Sequence, residues 1–600
     1  MNKDKVLLVS GILASLLSPT LRASESLSNS QLQEVKVNQA YGKGLRDLTK
    51  DEDEKLSKRK IKKIKPSSLA LKRTGISDID LLKSRDSEEF VLASESTNLD
   101  KESFNTLLLA EVDNSKLNAF PPIGNQAGQN SCAAFAATYY LMSHEFCLTN
   151  GCDNKNYQEK IFSPRWTYNF INSGEDNGAY FSEAFQVMNH HGAITNTDFP
   201  YGTDFRSWSV DPEHWREAVG NKMSALYTMG IGTDSEMELV KQTLLNGHVV
   251  VVGTYINSWI YKTVGSVANT LNPYAGESIA IAMNGTLGGH AMTIVGYNDD
   301  IWTDINANGL VEDSEKGAFK IANSWGTSWK NKGFVWASYE AFRITPMVSN
   351  FSLLNRLPLA KNSGNKVLTS TYTYQRPKAL AKFNISHLKR NQININFGTS
   401  TLTSTLPTVS YNPYAFNGRG GAYAFDGTTL ESDSYFYLDA TGLMSTDLSQ
   451  TKFYLKVTDL LSGDPLALNS FQIVDPQSDE VIYNTTITNS IIDGTNTTVV
   501  AKFEDNERPS DPTNLTAQLK TVKSGKKITY FARLTWTAST DNVSVSKYII
   551  FRNGVKLAES LTNSFEDGRT STGVVYNYSV QAVDSSGNVS NFSPSVQFKR

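Results

Sequence analysis

Apolar and polar positions change pattern four times along this chain. After Lys3 and Lys5 comes the apolar run "VLLVSGILASLL", closed by the small residues Ala23 and Ser24. This is the layout of a cleavable secretory signal over residues 1–23. The run is too short to span a bilayer comfortably, and no later stretch approaches about 18 uninterrupted apolar residues, so the mature chain is expected to carry no membrane span. Residues 24–111 are polar, with the block "KDEDEKLSKRKIKKIKPSSLALKR", and are read as poorly packed by themselves, a charged pro-segment or a linker. Residues 112–349 alternate long amphipathic stretches with apolar runs such as "HVVVVGTYI" and "HAMTIVGY", which predicts an α+β domain. Residues 350–506 carry short Tyr-, Thr- and Val-rich runs between Gly, Asn and Asp clusters, the spacing of a β-sandwich. Residues 507–600 continue with "ARLTWTASTDNVSVSKYIIFRNG" and "YNYSVQAVDSSGNVS".

A length of 600 residues implies several domains. The formal net charge of -3 gives no global reason to expect nucleic acid or an anionic membrane as partner. With three cysteines, disulfides are no general means of stabilisation. Cys147 and Cys152 flank the turn "LTNG" and are either bonded or two free thiols, so one cysteine, Cys132, is left over as a candidate reactive thiol.

Cys132 lies in "GNQAGQNSCAAFAATYYLMSHEF". Ser131 is a helix cap candidate, and Phe135, Tyr139, Met142 and Phe146 recur at helical spacing, which puts Cys132 in a first helical turn. Unsatisfied N–H groups there favour a thiolate, although a lone cysteine is more often a small buried hydrophobe. A nucleophilic thiolate needs a base, a group orienting that base, and donors for an oxyanion. Of seven histidines, His248 and His290 each open an apolar strand. Gly288 and Gly289 before His290, and Asn323 in "FKIANSWGTSWKNKGF", favour His290.

Gln126, "CAAFAA", "GGHAMTIVGY" and "IANSWGTSWKNKGF", with "SGEDNGAYFSEAFQVMNHHGAITNTDFPYG" between them, resemble the papain-like cysteine peptidases over 112–349. The resemblance implies a two-lobed α+β fold and hydrolysis of peptide bonds in protein or peptide substrates, without a catalytic cofactor. It implies Cys132 as nucleophile, His290 as base, Asn323 as its orienting amide and Gln126 in the oxyanion hole. Trp325 would cover the Asn–His bond, and Gly178 and Ala179 would pair with substrate backbone. Ala133 and Gln129 stand where the family usually has an aromatic residue and a disulfide-forming cysteine. The family is commonly made as a zymogen, which favours a pro-segment role for 24–111, although the usual spaced helical propeptide signature is missing. Residues 507–600 resemble a fibronectin type III domain, with Trp536 as core tryptophan and Tyr576 at its tyrosine corner.

Between the two strand segments, "DINANGLVEDSE" matches the calcium-loop pattern D-x-[DN]-x-[DN]-G-x5-E. It offers Asp304, Asn306, Asn308, the Leu310 carbonyl, Glu312 and Glu315, all hard oxygen donors, at the tip of a predicted hairpin. A structural Ca2+ is the expectation and a plain turn the simpler alternative. The whole reads as a multidomain secreted peptidase (extracellular, cell-surface or periplasmic), with surface or glycan contact through its C-terminal β-domains. The alternative is a catalytically silent peptidase-like scaffold.

Overall fold

The computed structural model describes residues 41–64, 67–74, 108–265, 272–372, 376–444, 447–487, 491–502 and 507–600. The signal segment 1–23 lies outside them.

A nine-stranded sheet forms one lobe. Its strands are β1 (Glu111–Asp113), β2 (Tyr227–Gly230), β3 (Val250–Tyr255), β4 (Trp259–Thr263), β5 (Ser278–Met283), β6 (Gly289–Trp302), β7 (Lys316–Ala322), β8 (Phe334–Ser338) and β9 (Lys366–Thr369). The order is β2-β9-β3-β6-β7-β8-β5-β4, with β1 on β6. The apolar runs expected as strands are β3 and β6, antiparallel with Thr254 opposite His290. Both are buried on both faces, which is why they read as continuous hydrophobic runs.

The helices are α1 (Lys50–Leu56) and α2 (Ser68–Thr74) of the leader, then α3, α4 (Pro164–Ile171), α5 (Phe181–His190), α6 (Pro212–Ala218) and α7 (Asp234–Leu245); α3 to α6 form the helical lobe with α1 against α5, whereas α2 and α7 pack on the sheet. The central helix α3 runs unbroken from an α-turn at Cys132–Ala134 through the π-helical Phe135–Met142 into Ser143–Asn150. Ser131 occupies its N-cap without a side-chain cap bond, because its hydroxyl meets Tyr201 Oη at 2.7 Å. Cys147 and Cys152 are joined in a disulfide, and Cys132 is free and buried.

Two expectations about the chain's organisation need correction. Among the described residues the leader packs against the rest of the chain: Leu45 and Leu56 are buried in the core, α1 is capped by Thr49, and Arg73 holds the last carbonyls of α7 at 3.1 and 2.9 Å. Its charges look unpaired in sequence because their partners, such as Lys366 for Asp53, lie hundreds of residues away. The boundary at 349 is also displaced. β9 pairs with β2 and β3, so the nine-stranded sheet is completed by chain beyond it.

The next domain is a sandwich of a five- and a four-stranded sheet between Leu380 and Ala501. It is fused to the helical lobe through one apolar core that runs from Trp166, Trp208 and Trp215 to Phe416, Phe425 and Phe436. Arg390 is buried in this seam, stacked 4.7 Å from the Trp208 ring. Its guanidinium donates to the carbonyls of Gly420, Ala424, Phe425 and Arg206. The last domain is a three-on-four sandwich with Trp536 in its core. The Ser571 N–H donates to Tyr576 Oη at 3.0 Å, the tie expected of a tyrosine corner.

Candidate active site

The site forms where α3 meets the β6–β7 hairpin. Cys132 starts α3, His290 is the second residue of β6, and Asn323 directly follows β7. His290 Nε2 meets Asn323 Oδ1 at 2.7 Å, while Nδ1 is buried with no hydrogen-bond partner. The N–H of Ala291, next to His290, reaches the Cys132 sulfur. Trp325 lies 4.6 Å from the imidazole ring and shields the His–Asn bond. Asn323 is fixed in turn, its Oδ1 accepting from the Ser324 N–H at 2.8 Å and its carbonyl from Tyr140 Oη at 2.7 Å. Gln126 is locked to the same segment: its N–H reaches the Ser324 carbonyl, and Ser324 Oγ donates to its Oε1 at 2.5 Å. Its Nε2 donates to the Gln129 carbonyl at 2.8 Å, which leaves the other amide N–H for the cleft.

His248 is excluded by its own pairing, with Nδ1 2.8 Å from the buried Glu145. Gly178 and Ala179 precede α5 on the far side of the cleft. The loop before them is fixed by Asp176, whose Oδ1 takes the Asn130 N–H at 2.8 Å and the Tyr168 hydroxyl at 2.5 Å.

What the sequence did not reveal is that this cleft is filled by residues 41–46. Ala179 N–H donates to the Gly44 carbonyl at 2.8 Å and the Arg46 N–H to the Ala179 carbonyl at 3.0 Å, a parallel pairing about Leu45. Gly44 and Leu45 N–H groups both reach the Gly289 carbonyl at 3.1 Å. The Gly42 carbonyl accepts from Gln126 Nε2 at 3.0 Å and Trp325 Nε1 at 3.1 Å, and Tyr41 stacks on Trp325 at 4.9 Å. Two glycines allow this approach: a Cβ on Gly42 would lie 1.8 Å from the Gln129 carbonyl oxygen, and one on Gly44 2.2 Å from that of Asn130. The signal available in the sequence was the pair of glycines in "YGKGL", too short to carry a periodicity.

Burial under this strand sets the electrostatics. The Cys132 thiol is pushed up to about 12 by desolvation, and the His290 imidazole is pushed down to about 3 by the same cause, against the Asn323 bond that raises it. Covered, both groups are held toward their neutral forms, which disfavours the thiolate–imidazolium pair.

The hairpin places Asp304–Glu315 at its far end, beyond the last strand pair Trp302–Lys316. The Asp304 carboxylate takes the N–H groups of Asn308 and Gly309, and the buried Glu315 takes those of Ile305 and Asn306. Asn306 and Asn308 both turn their amide nitrogens to Glu312 Oε2, at 2.7 and 3.1 Å. Among the described residues no three His, Cys, Asp or Glu side chains form a metal-holding group by themselves.

The sequence profile of the papain family cysteine proteases matches residues 109–349. This domain belongs to the papain family. A peptidase C1-like protein of Acanthamoeba polyphaga mimivirus is 22% identical over 258 residues, covering 40% of this chain and 71% of that protein. Xylellain, a cysteine protease from Xylella fastidiosa, aligns with 20% identity and a TM-score of 0.27 over 40% of this chain and 83% of its own. An alpha-amylase of Niallia circulans is 38% identical over 96 residues, 16% of this chain and 7% of that enzyme. The chain thus spans under a tenth of that curated relative. Likeness to such enzymes accords with the fibronectin type III domain that follows the papain-family domain and the sandwich. No helix among the described residues is long and apolar enough to cross a membrane.

Proposed function

We propose that the chain is an exported cysteine endopeptidase made as a zymogen, with residues 41–74 as its inhibitory segment. The observation that carries this reading is the leader strand, which lies extended along the Cys132–His290 cleft and covers it from Tyr41 to Arg46. An open cleft of this kind suits an endopeptidase. Once the leader departs, His290 Nδ1 takes the Cys132 proton, and the thiolate attacks the scissile carbonyl carbon. The oxyanion takes N–H bonds from Gln126 Nε2, now relieved of Gly42, and from the Cys132 backbone. Collapse breaks the C–N bond as the imidazolium gives its proton to the leaving amine. Water then hydrolyses the thioester with His290 again as base, held in orientation by Asn323. The parallel pairing of the leader with Ala179 supports inhibition, because a chain of opposite polarity presents no carbonyl in the attacked orientation. The test is incubation of processed protein and its Cys132→Ala variant with a denatured protein substrate. Internal fragments from the first alone support the proposal, and no cleavage by either overturns it.

Export is supported by the leader's first residues and by the Cys147–Cys152 disulfide, a bond suited to an oxidising compartment. The C-terminal domains would then place the peptidase on a surface or glycan, which a chitin or cell-wall pull-down of the full chain tests. Absence of retention on either would remove that role. A structural Ca2+ is proposed for Asp304, Asn306, Asn308, the Leu310 carbonyl, Glu312 and Glu315. The set fits once the two Asn amides rotate their oxygens inward, and its few formal charges suit a Kd of about 10⁻⁴ to 10⁻³ M. Bound calcium would stiffen the hairpin carrying His290 and Asn323. Equal Tm values in millimolar calcium and in chelator would remove it.

A further inference from the structure

The β-sandwich reaches the same carboxylate as the leader strand. Glu183, buried at the start of α5, receives the Tyr180 N–H at 3.0 Å and lies 3.9 Å from the Arg46 guanidinium, both through Oε2. Its Oε1 faces away and is held by Arg419 at 3.0 Å and Tyr414 Oη at 3.2 Å, two residues of the sandwich. The Arg46 guanidinium also stands 5.4 Å over the Tyr180 ring. Tyr180 directly follows Ala179, the residue that pairs with the leader backbone.

The geometry points to a specificity site for a basic substrate side chain, built from Glu183 and Tyr180 and held in place by Arg419 and Tyr414 of the β-sandwich. This rests on the peptidase reading above. Leader release vacates the Arg46 position while Arg419 and Tyr414 keep Oε1, so Oε2 remains aimed at the cleft. A desolvated carboxylate beside an aromatic face is matched by a guanidinium, which can pair with one and stack on the other. An extended chain of either polarity places consecutive residues at consecutive positions. A substrate with a large apolar side chain in the Leu45 pocket therefore puts its preceding residue at Glu183. The Leu45 pocket is floored by Gly253, where a Cβ would lie 2.6 Å from the Leu45 side chain. The sandwich thus acts as part of the cleft wall.

Processed full-length protein is assayed on acyl-Xaa-Leu-Gly-aminocoumarin peptides with Xaa as Arg, Gln or Glu. The expected order of kcat/KM is Arg over Gln by about tenfold, with Glu lowest, and the Arg:Gln ratio falls to near one in Glu183→Gln. A ratio near one in the native sequence, or one unchanged in E183Q, overturns the site. Because E183Q also loosens the seam with the sandwich, a second measurement uses the unaltered enzyme. A synthetic peptide of residues 41–57 is expected to inhibit about tenfold more tightly than its Arg46→Gln form, and equal inhibition overturns the site. If no peptide or protein is cleaved, the peptidase reading itself fails, a result distinct from cleavage without preference for Arg.

Discussion

Replacing Gly44 by alanine in the uncleaved protein tests the leader contact most severely. The residue has φ +107°, and its Cβ would stand 2.2 Å from the Asn130 carbonyl oxygen and 2.4 Å from its Cβ. Relief requires the strand to retreat by about 1 Å, since ordinary contacts of a Cβ lie at 3.4–4 Å. The bonds from Ala179 N–H to Gly44 O at 2.8 Å and from Gly44 N–H to Gly289 O at 3.1 Å then stretch past useful length. Losing two such bonds costs about 2 kcal/mol, and left-handed backbone strain adds about 1 kcal/mol. A total near 3 kcal/mol corresponds to roughly a hundredfold rise in the fraction of chains with an open cleft. The assay is iodoacetamide labelling of Cys132 in uncleaved chains, quantified by peptide mapping, with thermal unfolding followed in parallel. A labelling rate within about twofold of the unaltered protein would refute the reasoning.

Gln126→Ala in the processed protein should lower kcat about 10²- to 10³-fold with little change in KM, since the amide is used by the oxyanion and not by bound substrate; steady-state kinetics check it. Arg390→Met takes the donor from the buried carbonyls of Gly420 and Arg206, while those of Ala424 and Phe425 keep the Gly427 and Trp208 N–H groups, and should cost about 3 kcal/mol in denaturant unfolding and loosen the sandwich to proteolysis. The uncleaved protein should keep an unreactive thiol across the neutral range, because Cys132 held up to about 12 and His290 held down to about 3 both stay uncharged. Its labelling should therefore rise only in strong alkali, whereas the processed protein should label from mildly acid pH upward.

Local spacing made parts of the fold readable. The buried strands β3 and β6 showed as apolar runs, and the helix after Ser131 showed through Phe135, Tyr139, Met142 and Phe146. Phe135 and Met142 are buried, and the other two half-buried. The residues around Cys132, His290 and Asn323 sit in short motifs, so their grouping could be inferred before any contact was known. The leader strand could not be read this way. Its partners Ala127, Ala179 and Gly289 are remote in sequence, and a six-residue extended segment has no pattern distinguishing it from a linker. The seam with the sandwich was hidden for a similar reason: Arg390 reads as a surface charge, and only the carbonyls gathered around it make burial tolerable. β9 was assigned to the wrong domain because "KVLT" carries a β preference and no indication of which sheet it joins.

The claim that Cys132 works as a thiolate raised by His290 is tested most directly by the pH profile of Cys132 carboxamidomethylation in processed protein, with and without His290→Ala. The account predicts rapid labelling down to about pH 5 with His290 present, and labelling only near the ordinary thiol range of about pH 8.5 without it. Identical profiles for the two proteins would contradict it.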